Sequence, residues 1–296
     1  MGLGGVGVWS GQLRFGDRGA VAEAAAELES LGYTALWVPG GAGGPVFDDC
    51  RALLDATRGV TVATGVLNLW MHTPDETAAG HAALTADHPG RFLLGLGVSH
   101  APLVDRDEPG RYRRPLATTR AYLDALDAAQ PPVPAGERVL AALGPQMLAL
   151  ARERAAGAHP YIANPDHTRF AREVLGDGPL LAPEQPVVFG TDRDAALATA
   201  RGHLAIYLGL PNYVNNWRRI GFTDDDFADG GSDRLLEGIV AWGDEAAIAG
   251  RVAEHFAAGA DHVCIQLAGT RATGPDAALP LDTWRRLAPA LVGLGA

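Results

Sequence analysis

The chain has 296 residues, 47% apolar, 7% aromatic and 20% charged, an ordinary globular composition that excludes a mainly disordered chain. All 24 basic residues are Arg, so Schiff-base, pyridoxal-phosphate and P-loop lysine chemistries are excluded. A net charge of −11 argues against a nucleic-acid or anionic-membrane surface. Cys50 and Cys264 are too few for a disulfide framework. With no basic and then apolar leader, and no apolar run near the roughly 20 residues of a membrane span, the chain reads as cytoplasmic.

Apolar runs alternate with helical stretches along the whole chain. A short strand at 6–9 precedes a helix that Asp17 can cap and Gly32 can stop, with Val21, Ala24, Ala25, Leu28 and Leu31 at helical spacing. A strand at 35–38 ends at Pro39, and a helix follows over about 46–58. The third strand covers 60–69. Thr73-Pro74-Asp75-Glu76 supplies an N-cap, Pro at N1 and first-turn acids for the next helix. The fourth strand, 92–98, leads through a polar loop to a helix at 115–128. A fifth strand at 138–143 meets Gly144-Pro145, which opens a helix; a sixth at 158–163 meets the cap Asn164-Pro165. A seventh strand at 186–189 precedes a helix from Asp192. The segment 211–243 breaks the rhythm, which a helix at 244–258, a strand at 262–267 and a helix at 281–292 restore.

Eight strand–helix units in about 300 residues, with strands apolar on both faces, predict an α/β fold, a (β/α)8 TIM barrel. A doubly wound sheet is the alternative. No linker or composition shift divides the chain, so one domain is expected over 1–296, with 211–243 an insertion before the last unit.

Active sites of such barrels lie at the C-terminal strand ends. Here those ends carry Trp9-Ser10, Pro39-Gly40, Asn68, Ser99-His100, Gly144, His159, Tyr161, Thr191 and Gln266, and no acid. That disfavours a two-carboxylate glycosidase and a carboxylate-held magnesium ion. The nine His residues show no H-x-H or H-x-x-x-H pair, which disfavours a metallohydrolase. A mouth without Lys, acids or metal ligands points to an organic cofactor. Gly2, Gly4 and Gly7 match G-x-G-x-x-G but precede the first strand, so a dinucleotide site is not expected there. The glycines of Gly95-Leu96-Gly97-Val98-Ser99-His100 would let a flat ring or a neighbouring backbone approach closely. The turn Leu143-Gly144-Pro145-Gln146-Met147 offers free backbone N–H groups at a helix start, either an anion site or a plain turn. Arg106, Arg111, Arg113, Arg114 and Arg120 form the densest basic cluster; it is either a solvated loop or a steering patch for a polyanion.

These residues resemble a family. Val62-Ala63-Thr64-Gly65-Val66, Gly95-Leu96-Gly97-Val98 and Ala141-Ala142-Leu143-Gly144-Pro145-Gln146-Met147-Leu148, in that order, are similar to the bacterial-luciferase-like flavin and deazaflavin oxidoreductases. Gly157-Ala158-His159-Pro160-Tyr161 and Leu210-Pro211-Asn212-Tyr213-Val214-Asn215-Asn216 resemble its actinobacterial, coenzyme F420-dependent subgroup. The resemblance implies a dimeric barrel with a flavin-like ring across the strand ends. It also implies a non-prolyl cis peptide, Gly65–Val66, behind that ring. Cofactor contacts carried over are Gly65, Val66, Asn68, Gly97, Val98 and Ser99 at the ring. At the phosphate they are Arg120, Leu143, Gly144, Pro145, Gln146 and Met147. The implied cofactor is coenzyme F420, with a hydride moved to or from a small organic substrate. The alternatives are an FMN-dependent monooxygenase fed by a flavin reductase, and a catalytically silent dimeric barrel. Two familiar acid–base positions are missing: Pro39-Gly40-Gly41-Ala42-Gly43-Gly44 follows the second strand, and Val98 stands where sugar-phosphate dehydrogenases of the family carry Glu. That leaves His100, His159 and Tyr161 as candidates for proton transfer. The resemblance implies that the 211–243 segment, with Asn212 to Trp217, helps form a substrate lid, an amphipathic surface helix being the alternative, and Asp224-Asp225-Asp226 is expected to be first-turn acids of a helix.

Overall fold

The computed structural model describes residues 3–41, 43–106, 108–273 and 277–295. Strands β1 (Gly5–Trp9), β2 (Ala35–Gly40), β3 (Thr61–Asn68), β4 (Phe92–Gly97), β5 (Arg138–Leu140), β6 (Gly157–Ala158), β7 (Leu180–Leu181), β8 (Glu184–Phe189), β9 (Ala241–Gly243) and β10 (His262–Leu267) form one sheet. Between them run α1 (Gln12–Phe15), α2 (Arg18–Ser30), α3 (Val46–Ala56), α4 (Pro74–Asp87), α5 (Ala101–Val104), α6 (Pro115–Ala128) and α7 (Pro145–Arg154). The second half adds α8 (Pro165–Leu175), α9 (Arg193–Leu208), α10 (Pro211–Arg219), α11 (Asp224–Phe227), α12 (Asp233–Ile239), α13 (Glu245–Ala257) and α14 (Leu281–Leu291).

Local chemistry fixes the helix starts. Asp17 accepts from Ala20 N–H, Asn164 from His167 N–H and Asp192 from Ala195 N–H. Thr73 and Glu76 close a capping box on α4, and Thr223 and Asp226 close another on α11, where the Asp run is indeed the first turn.

Every strand pair is parallel, in the order β7-β6-β5-β4-β3-β2-β1-β10-β8-β9. The sheet curls strongly. β7 and β8 are separated only by Ala182 and Pro183, yet β6 pairs with the first and β10 with the second. Backbone bonds continue on both sides of that junction: Ala182 N–H to Ala158 O at 3.0 Å, Glu184 N–H to Pro160 O at 2.8 Å, and Cys264 N–H to Pro183 O at 3.0 Å.

Four strand boundaries depart from the sequence reading. The second strand does not end at Pro39 but runs through it to Gly40, which pairs with Leu67. The fifth strand stops at Leu140 rather than 143. The sixth, expected over 158–163, is only Gly157–Ala158, because Pro160 has no N–H for a ladder. The expected seventh begins at Glu184 and is preceded by β7, a pair of leucines between prolines. β9 is a further strand, in the 211–243 segment, paired with the end of β8. The polar loop after the fourth strand contains α5.

Alternation divides the strands between two faces. Val6, Val8, Leu36, Val38, Val62, Leu94 and Ile265 pack outward under the helices. Trp9, Trp37, Ala63, Leu93, Val139, Ala182 and Cys264 pack together on the concave side. Gly7 belongs to that side too: a Cβ there would come 2.8 Å from the His262 ring, so the close approach explains this glycine without a phosphate. Gly2, first in the literal glycine motif, lies outside the described residues. Among the described residues no helix is long and apolar enough to cross a membrane.

Candidate active site

The concave face opens at the C-terminal strand ends into a cavity of about 560 Å³. Its floor is backbone. Ala63 pairs with Leu93 but Leu67 pairs with Leu96, so β3 holds one residue more than β4 over that stretch, and the Gly65–Val66 peptide within it is cis. Trp9 Nε1–H donates to the Gly65 carbonyl at 2.8 Å. Thr64 Oγ1 both accepts from Gly95 N–H at 2.9 Å and donates to Gly95 O at 2.8 Å. A Cβ at Gly65 would lie 2.5 Å from Trp9 Nε1, and one at Gly97 would lie 2.5 Å from Val66 Cγ2. Only glycine permits this close layering, which leaves a flat surface. Gly65, Val66, Asn68, Gly97, Val98 and Ser99 all line the cavity. Ser99 takes a left-handed backbone, φ +59°, at the end of β4.

His100, His159 and Tyr161 also line it, in different states. His159 is fully buried and stacks on Trp37, ring centroids 4.2 Å apart at 11°. Its Nδ1–H donates to Ala182 O at 2.7 Å, so Nε2 carries the lone pair, and that atom has no partner. Burial pushes the imidazole down to about 4, against the hydrogen bond to Ala182, so it is neutral at pH 7. Tyr161 donates to Gln266 Oε1 at 2.6 Å, and burial holds its hydroxyl well above the ordinary tyrosine value. His100 Nδ1 sits 3.0 Å from Asn212 Oδ1, tying the loop after β4 to α10 across the mouth. Burial lowers its pKa, opposed by that bond.

The wall opposite the floor comes from α9 and α10. Tyr161, Tyr207, Tyr213 and Trp217 form a chain of tilted and edge-on rings 4.9–6.0 Å apart. Thus the 211–243 segment does supply cavity residues. The loop after β2, without acid or His, is held by Arg14, which donates to Pro39 O at 2.6 Å and to Gly43 O and pairs with Asp49. Ala42 of that loop lies outside the described residues.

The anion signals divide. Leu143, Gly144 and Met147 line the cavity, and Gly144 caps α7 with no side-chain acceptor on its first N–H groups. Pro145 and Gln146 continue that turn but do not line the cavity. Arg120 is outside it as well: its guanidinium reaches Glu153 at 3.2 and 3.4 Å, on the neighbouring helix. Arg106, Arg111, Arg113 and Arg114 do not line it either, although Tyr112 and Pro115 of the same stretch do. Arg111 instead covers the Trp70 ring at 5.4 Å, and Arg114 takes a left-handed backbone, φ +48°.

Two residues escaped the sequence reading. Arg219, at the end of α10, is the only Asp, Glu, Lys or Arg among the described lining residues. Glu184 is an acid buried inside the fold: one oxygen accepts from Ile162 N–H at 2.7 Å and the other has no partner. Burial raises its pKa to about 8, partly offset by that hydrogen bond. Ile162 itself is left-handed, φ +55°. Among the described residues no three His, Cys, Asp or Glu converge as metal ligands.

Known proteins are similar to this chain in sequence or in fold. A Mycobacterium tuberculosis protein named as a coenzyme F420-dependent oxidoreductase is 29% identical over 86% of this chain and 88% of its own. The fold matches an F420-dependent secondary alcohol dehydrogenase solved with an F420–acetone adduct: TM-score 0.70, 15% identity, 97% of this chain and 99% of that one. It also matches the oxygenating constituent of 3,6-diketocamphane monooxygenase from Pseudomonas putida, solved with FMN: TM-score 0.67, 14% identity, 99% and 98% covered. Residues 5–262, which include the glycine floor and its cis bulge, match the family described as luciferase-like monooxygenase, and the chain belongs to that family.

Proposed function

We propose that the protein is a coenzyme F420-dependent oxidoreductase that transfers a hydride between the deazaflavin and a small organic substrate. The observation that carries this reading is the floor, where Gly65, Gly97 and the register shift of β3 leave a surface that a flat tricyclic ring can cover. The 29% identical relative, named for F420-dependent activity, supports the choice of cofactor. In this reading 180–189 acts as one interrupted strand, the eight-stranded (β/α)8 barrel is a single domain, and 211–243 is its insertion. A homodimer is the expected assembly, to be checked by light scattering.

The bound deazaflavin supplies a two-electron hydride carrier. The chain's own residues do the rest. Val66 and the glycines hold the ring face, and Leu143, Gly144 and Met147 receive the phosphate end. The bare Nε2 of His159 fits a ring N–H or a substrate hydroxyl, because it can only accept a hydrogen bond while neutral. Tyr161 and His100 are neutral donors with protein acceptors, so they orient and relay rather than hold charge. The aromatic wall excludes water from the transfer.

The same floor would take an isoalloxazine, and the FMN-bound fold neighbour favours a second reading, an FMN monooxygenase served by a reductase. Titration with each cofactor, followed by quenching of cofactor fluorescence, separates the two. Tight deazaflavin binding is expected. Tight FMN binding with no response to the deazaflavin would sink the first reading.

A further inference from the structure

Arg219 is an exposed arginine at a cavity whose other described lining residues include no Asp, Glu or Arg. Among the described residues it has no carboxylate partner, whereas the adjacent Arg218 is paired with Asp224 at 2.6 Å. The side chain is nevertheless held in place. Its guanidinium lies over the Phe170 ring at 5.3 Å, and Nη1 donates to Asn216 Oδ1 at 3.1 Å, Asn216 being fully buried. Those contacts leave further N–H donors of the fork for a ligand.

Its surroundings say which part of a ligand it meets. Phe170 packs against His167 at 6.0 Å between ring centroids, and His167 Nε2–H donates to Leu143 O at 3.0 Å. Leu143 and Gly144 line the same cavity as Arg219. Through Phe170 and His167 the guanidinium is thus linked to the Leu143 carbonyl, next to the start of α7.

We propose that Arg219, carried by α10 of the 211–243 segment, is the cation that binds the phosphate of the cofactor, a role for which the sequence had suggested Arg120. The assignment rests on the proposed cofactor reading and adds a consequence. The segment that walls the cavity is itself held shut by the cofactor, since a phosphate joins α10 to the start of α7.

The test compares ligands with and without phosphate. In Arg219→Met, affinity for coenzyme F420 and for FMN should fall on the order of 10- to 100-fold, the worth of a charge-assisted hydrogen bond. Affinity for the phosphate-free deazaflavin riboside and for riboflavin should stay within about twofold of the unmutated protein. Arg219→Lys should fall between, and Arg120→Ala should bind all four normally. Equal losses for phosphate-bearing and phosphate-free ligands, or no loss, would overturn the proposal. A readout independent of cofactor identity is the melting temperature in inorganic phosphate against chloride at matched ionic strength. Phosphate should raise it in the unmutated protein and not in Arg219→Met, by ordinary linkage. Failure of both cofactors to bind, with this phosphate effect intact, would remove the cofactor reading and leave Arg219 as an oxyanion site. Absence of the phosphate effect in a protein that binds F420 would remove Arg219 instead.

Discussion

The floor of the cavity is made of backbone and its wall of side chains. At Gly65 and Gly97 one added carbon would meet Trp9 or Val66 at 2.5 Å. At the wall, Tyr207 and Tyr161 approach at 3.4 Å between hydroxyls, a long bond, and Ile206 is 58% exposed. A surface fixed by strand registers cannot adjust, whereas one built from rings on helices can repack. The floor thus suits a constant partner, such as the proposed ring, and the wall suits whatever lies over it.

The largest expected effect should break both regions at once. Burial pushes His159 at the cavity, His262 of β10 and His203 of α9 down to about 4, as it does His167, and His255 to about 3. Unfolded, each takes its proton near 6.5, so the unfolded chain binds more protons between about 6.5 and 4. Stability therefore falls as pH drops through that window, by about 1.4 kcal/mol per pH unit for each such proton. Glu184, raised to about 8, acts oppositely: the folded chain keeps a proton that the unfolded one releases near 4.5, so stability falls as pH rises between those values. Five groups outweigh one. Urea midpoints should drop steeply from pH 6.5 to 4.5; a flat profile would mean the histidines are not buried neutral.

A sharper contrast comes from paired substitutions. Gly97→Val forces carbons into Val66 and should cost about 1–3 kcal/mol in urea unfolding, with loss of ring binding. Ile206→Ala at the exposed wall should stay within about 0.5 kcal/mol. Equal costs would erase the distinction between the two surfaces.

The smallest effect concerns the rim. Arg111, Arg113 and Arg114 are exposed beside the lining residues Tyr112 and Pro115. Neutralising all three should weaken a long-tailed polyanionic cofactor by a few-fold at low salt, and a tail-less analogue less. The difference should vanish as the Debye length shortens below about 10 Å. Fluorescence titration at two salt concentrations checks it, and equal losses for both ligands would count against a tail contact.

Much of this was legible in the chain. The caps at Asp17, Thr73, Asn164 and Asp192 have local chemistry that a linear pattern displays, and the glycines of β4 announced a close approach. The Gly65–Val66 bond and its bulge stand where the family resemblance put them. What was hidden depends on partners distant in sequence. Glu184 begins a strand and reads as a solvated acid; only the pairing of β8 with β10 turns it inward. Arg219 ends an amphipathic helix and is exposed there like other surface arginines, and nothing nearby in sequence names Phe170 as its brace. Leu180–Leu181 was too short a run, between prolines, to read as a strand.

Ser99, Arg114 and Ile162 hold left-handed backbone without being glycine, and they surround the mouth: Ser99 lines it, Arg114 precedes the lining Pro115, and Ile162 follows Tyr161. Each such residue costs roughly 1 kcal/mol or more. Selection for heat tolerance alone would drift toward glycine at these three places, relaxing the chain and freeing the rim in the same step. Durability and a well-formed mouth are therefore opposed at three known positions, and an engineer who wants a tougher protein should leave them alone and work on the outer helices.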